Sequence, residues 1–196
     1  MLEAKLISGA SGYDIVFPSF VPYGSRQVAM GVYSKLDYSL IPNASNIDGN
    51  ITNKFKQNKG NTDYLLPMFW GTIGIAYDSN IIKKLFPLLK TFTYTELMSS
   101  EYMREISKYG VSFPEEYIDI FPQIQVLLNN DYSLQSVISM FDPIRKYITK
   151  FNSSTVIYDL LSGQICMAIC SSDHAYKIMK SVNIMHSTSN SKKNIV

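Results

Sequence analysis

An α/β fold in two lobes is what this sequence predicts, and three observations predict it. Short apolar runs bounded by Gly, Pro and Ser recur along the chain, as at residues 12–17, 109–113 and 165–170. Segments of helical period lie between them, the longest at 133–151. Strands that alternate with helices build mainly parallel sheets, because each crossover helix returns the chain in the same direction. Finally, 46% of the residues are hydrophobic and only 17% charged. That balance suffices for a core in one domain or two small lobes, and is too apolar for a disordered chain.

In chain order, residues 2–7 are the end of a helix, and 12–17 form a short β run that stops at Pro18-Ser19. A serine in that place can cap the helix expected at 26–30. A brief strand follows at 33–36, and the Asn-, Gly-, Lys- and Thr-rich stretch 42–63 reads as loop. Residues 64–77 read as β structure carrying Gly71 and Gly74, and glycines inside a strand mark bends or close backbone approach. Helices are expected at 81–89, 94–98 and 118–128, with a strand at 109–113. The amphipathic stretch 133–151 is a helix interrupted by Pro143. A helix at 155–161 ends at Gly163, a C-cap residue. A strand at 165–170, a helix at 173–180, a strand at 182–186 and a disordered tail at 187–196 complete the chain. Two sheets joined through the glycine-bearing strand give a first lobe at 1–78, a second at 79–186, and a hinge at 76–80.

Composition removes several function classes. A net charge of +2 offers no basic surface for nucleic acid. No apolar run reaches the ~18 residues of a membrane span. Met1-Leu2-Glu3-Ala4-Lys5 lacks the basic start and apolar stretch of a signal peptide. Cys166 and Cys170 lie four residues apart on an expected strand, about 13 Å, where a disulfide needs Cα atoms within about 7 Å. They read as two small buried hydrophobes. Two histidines and no Cys-x-x-Cys spacing argue against a metal site, and no cofactor motif is present.

Several segments then carry a family likeness. They are Ser11-Gly12-Tyr13-Asp14-Ile15-Val16-Phe17-Pro18-Ser19, Gly31-Val32-Tyr33-Ser34-Lys35-Leu36-Asp37, Pro67-Met68-Phe69-Trp70-Gly71-Thr72-Ile73-Gly74-Ile75-Ala76-Tyr77, Gly110-Val111-Ser112-Phe113, Phe151-Asn152-Ser153-Ser154 and Gly163-Gln164-Ile165-Cys166-Met167-Ala168-Ile169. In this order they resemble the polyamine-binding periplasmic proteins of ABC importers, the putrescine branch more than the spermidine branch. The likeness reaches about Met185. It implies a two-lobed periplasmic binding protein fold of type II, incomplete at both termini. It also implies a periplasmic monomer that clamps putrescine or spermidine between its lobes and docks on a membrane permease. A chain lacking the ends that the family pattern predicts is expected to bind polyamines weakly.

A diamine is two ammonium groups on an apolar rod, so its site needs carboxylates at the ends and aromatic walls between. Glu116 and Asp119 are three residues apart at a strand-to-helix turn and can share a face. By themselves they are equally the acids that favour a helix N-terminus. The resemblance makes both ligand residues, with Asp119 the better match. It likewise points to Asp173, otherwise a plain N-cap, and to Ser19, otherwise a capping hydroxyl. Trp70, the only tryptophan, is either a ligand wall or a packed hinge aromatic. The likeness fails at Cys170 and Ser171, where the family carries an aromatic residue before the acid. Rival readings are an enzyme built on Cys170 with His174, a binding protein for another small ligand, and a remnant without activity.

Overall fold

A computed structural model describes residues 2–9, 12–57, 61–129 and 133–188. The chain divides into two compact units, Met1–Trp70 and Gly71–Val196. The second begins at Gly71 because the strand that follows hydrogen-bonds along its full length to a strand near the C-terminus. The first lobe expected from the sequence, 1–78, includes that strand.

The first unit holds helices α1 (Leu2–Ile7), α2 (Ser25–Ala29) and α3 (Gly49–Gln57), linked by irregular turns. Its polar centre is Gln27, 1% exposed. Gln27 Nε2 donates to Glu3 Oε2 at 3.3 Å, and its Oε1 accepts from the Tyr33 hydroxyl at 2.5 Å. Arg26 pairs with the same Glu3 oxygen at 2.7 Å, which ties α1 to α2. The expected strands at 12–17 and 33–36 do not form, since no strand of this unit pairs with them among the described residues. The loop expected at 42–63 contains α3 instead. Its start is fixed by Asp48, whose carboxylate accepts from Asn50 N at 2.6 Å. The hydroxyl of Ser19 makes no cap hydrogen bond to the turn that follows it.

The second unit is a mixed sheet covered on both faces. Its elements in order are β1 (Ile73–Tyr77), α4 (Ser79–Leu85), α5 (Tyr94–Leu97), α6 (Ser100–Ile106), β2 (Val111–Phe113), α7 (Phe121–Leu127), α8 (Leu134–Arg145), β3 (Lys150–Phe151), α9 (Val156–Ser162), β4 (Met167–Ser171) and α10 (Ser172–Thr188). The strand order is β1-β4-β2-β3. Strands β4, β2 and β3 run parallel, and β1 is antiparallel to β4 with Ile73 opposite Ser171 and Tyr77 opposite Met167. The fold is therefore α/β as expected. Among the described residues, however, one four-stranded sheet stands where two were expected, and its edge strand is antiparallel.

The alternation of β4 explains the double covering. Met167 and Ile169 point into a cluster with Leu97, Met103, Ile106, Phe113, Ile124 and Ile144. Ala168 and Cys170 point to the other face, against Val156, Leu160, Ile178 and Val182 of α9 and α10. Small residues on that face let the two helices lie close, and strands buried on both sides read as continuous apolar runs.

Other differences have local causes. The helix expected at 133–151 ends at Arg145, and residues 150–151 pair with β2 as a strand. The strand expected at 182–186 is helical, part of α10. Ile178 and Val182, four apart, are both buried, which is the helical period. The tail expected to be disordered, 187–196, lies almost wholly outside the described residues.

Candidate functional site

Parallel strands deliver their carboxyl ends to one edge of a sheet, where ligands of open α/β folds bind. Here β2 runs into Pro114, β3 into Ser153, and β4 through Ile169, Cys170 and Ser171 into α10, while antiparallel β1 begins at Ile73 on the same edge. These residues, with Asp119 and His174, line a small pocket of about 70 Å³. Its apolar lining is Ile73, Pro114 and Ile169, and its polar groups are a carboxylate, an imidazole, two hydroxyls and a thiol.

Asp119 ends a tight 3₁₀ turn, Tyr117–Asp119, between β2 and α7. Its backbone N–H donates to the Glu116 carbonyl at 3.1 Å. Among the described residues the Asp119 carboxylate meets no hydrogen-bond donor and no cation. Partial burial pushes its pKa up from the ordinary aspartate value. A half-buried carboxylate without a partner is costly, and an arriving cation relieves that cost.

The remaining acids are placed differently. Glu116 is exposed at the start of the same turn and is not part of the pocket lining. The face expected to present both acids presents Asp119 alone. Asp173 lies in the first turn of α10 with its side chain 60% exposed. It accepts from the Ser171 hydroxyl and pairs with Lys177 at 3.2 Å. The Ser171 hydrogen bond leads, and with the Lys177 bond and the neighbouring positive charges it outweighs the opposing effect of burial and holds the carboxyl below the usual range. It stands beside the pocket, tied to a lining residue. Ser19 and Trp70 belong to the first unit, where both are exposed, Trp70 at 73% beside Phe69 at 83%. The packed-aromatic reading of Trp70 therefore fails.

Sequence reasoning misses Ser153 as a pocket residue, because β3, which leads into it, lies within the helix expected at 133–151. It weighed His174 only as a base for Cys170. That pairing has poor chemistry: burial, then the nearby Asp173 charge, push the Cys170 thiol up to about 11, whereas reactive cysteines are tuned downward. No group of His, Cys, Asp and Glu among the described residues could hold a metal ion.

No protein-family model matches the chain. It is 34% identical over 184 residues to the putrescine-binding periplasmic protein SpuD of Pseudomonas aeruginosa, covering 90% of this chain and 50% of that protein. The putrescine-binding periplasmic protein PotF of Escherichia coli is 28% identical over 177 residues, 86% of this chain and 48% of that protein. Over most of its length this chain is similar to putrescine-binding periplasmic proteins. It spans about half the length of these relatives. The Tp0655 (TpPotD) lipoprotein of Treponema pallidum shares its fold, with a TM-score of 0.72 at 24% identity over 94% of this chain and 56% of that one. The expected polyamine-binding-protein resemblance and the solute-binding-protein fold both hold.

Proposed function

We propose that this chain serves the solute-binding component of a polyamine import system of the ABC type, taking putrescine or spermidine in the periplasm and passing it to a membrane permease. It acts by binding and not by catalysis, as a monomer. The observation that carries this reading is Asp119. An unpaired, half-buried carboxylate lies at the carboxyl edge of a parallel sheet, in a chain whose relatives are named for putrescine binding.

In this reading Asp119 holds one ammonium group of the ligand, with Ser153 and Ser171 offering hydroxyl oxygens to its remaining N–H bonds. Asp173 adds negative potential at the rim. Ser19, Glu116 and Trp70 are proposed to contact the rest of the polyamine, the indole giving an aromatic face to the methylene chain or the second ammonium, worth about 0.5–2 kcal/mol. No Phe, Tyr or Trp is among the residues that line the pocket. Polar contacts must then supply more of the affinity.

The test is titration of the chain with putrescine and spermidine, by calorimetry where binding is tight and by ligand-observed NMR where it is weak. Asp119→Asn is expected to weaken putrescine by at least about tenfold, or ~1.4 kcal/mol, and Glu115→Gln to change it little. Equal affinity for wild type and Asp119→Asn defeats the assignment.

A further inference from the structure

His174 contributes the one imidazole to the lining of the pocket. It sits in the first turn of α10 with its side chain 29% exposed. Its ring makes no hydrogen bond among the described residues, so no partner fixes its protonation state by a direct bond. The titratable groups around it are few. On its own helix are Asp173, with Oδ2 3.9 Å from Nε2, and Lys177, which is paired to that same carboxylate. From the 3₁₀ turn comes Asp119, and from β4 comes Cys170. Because its thiol is held up to about 11 by burial and then by the Asp173 charge, Cys170 stays neutral below that range.

The charge count inside the pocket follows. With a neutral imidazole the lining carries one net negative charge, on Asp119, which suits one ammonium group. With an imidazolium the lining is neutral overall, and a positive group already shares the pocket with Asp119. In a pocket this small an ammonium and an imidazolium would sit within a few ångströms of each other, where like charges disfavour one another strongly.

We propose that His174 is a ligand-proximal residue that sets the charge the pocket accepts, so that the site takes a cationic amine when the imidazole is neutral and releases it when the imidazole is protonated. This rests on the polyamine reading above. An imidazole changes charge between about pH 5 and 8, a range in which putrescine keeps both of its ammonium groups. A change in affinity over that interval therefore belongs to the protein.

Putrescine affinity is measured at about pH 8 and pH 5.5, at one ionic strength, for wild type and His174→Gln, with far-UV circular dichroism confirming the fold at each pH. Wild type is expected to bind about tenfold more weakly at the lower pH. His174→Gln is expected to change by less than about twofold, and His174→Asn to repeat it should the glutamine variant misfold. Unchanged wild-type affinity, or an equal loss in the variants, overturns this inference while leaving polyamine binding standing. No putrescine binding at either pH by any of these proteins overturns both.

Discussion

Asp119 combines a functional and an energetic role that can be separated. Burial raises its pKa, which means that the folded state holds a proton more tightly than the unfolded chain does. Stability then declines as pH rises from the unfolded to the folded pKa, and the ionised group is a small liability at neutral pH. Asp119→Asn should therefore stabilise the ligand-free protein at pH 7, by about 0.5 kcal/mol or less for so partial a burial, while weakening the ligand. A variant that loses both stability and binding would mean that Asp119 is structural. Asp159 shows the opposite behaviour. Burial alone would raise its carboxyl, but hydrogen bonds from Lys150 and Thr155 and the Lys150 charge outweigh that effect and hold it low. The side chain is 7% exposed, Lys150 is in direct contact, and Thr155 Oγ1 donates to it at 2.6 Å. The stabilisation is present above the ordinary carboxylate range and is lost as pH falls through the lowered pKa. Lys150→Ala leaves a buried carboxylate without its cation, held by the Thr155 hydroxyl. A loss of about 2–3 kcal/mol is expected in urea unfolding at pH 7, and it should narrow below pH 4. An equal loss at both pH values would assign the effect to packing.

At the level of elements, the buried sheet was legible and its margins were not. Residues 109–113 and 165–170 are apolar runs between turn residues, and they became β2 and β4. Gly163 closes α9 with φ 79° as its C-cap position requires. The misreadings share one cause, that strand formation needs a partner which local sequence does not display. Residues 64–72 look as extended as 73–77, but only the latter meet β4. Residues 150–151 are strand only because β2 lies beside them. Of the proposed site, Asp119 was legible as an acid after a strand, whereas Ser153 was invisible until β3 was known. Gly110, at the amino end of β2 and away from the proposed site, offers a test of how tightly the sheet is set there. Its φ is +81°, and a Cβ there would lie 2.5 Å from the Gln164 carbonyl oxygen. Gly110→Ala must move backbone as well as adopt a strained conformation. It should cost more than about 2 kcal/mol of stability in denaturant titration. A loss under about 0.5 kcal/mol would show that the β2–β4 crossing is more compliant than its geometry indicates.

Across the whole molecule the two units differ in how they bury apolar surface. Every buried apolar side chain among the described residues lies in Gly71–Val196. In Met1–Trp70 the buried positions are Gly24 and Gln27, while Ile15, Phe17, Leu40, Phe69 and Trp70 are more than 70% exposed. Burial of apolar area is the main source of folding free energy, so the first unit should open at lower cost than the second. Brief digestion with a broad-specificity protease is expected to remove the first unit and leave a fragment starting near residue 71. Mass spectrometry of the products reads this directly, and first cuts within the sheet of the second unit would contradict it. The antiparallel edge of that sheet also has a consequence for how the protein is made. Strand β1 finds its partner β4 only about ninety residues later in the chain. At ~5–20 residues per second, roughly 5–20 s of synthesis separate the two, during which Ile73, Ile75 and Tyr77 leave the ribosome with their backbone groups unpaired. The nascent polypeptide is then a sticky, half-dressed edge, and a chaperone or a translational pause during that interval would decide how much of it reaches the folded state.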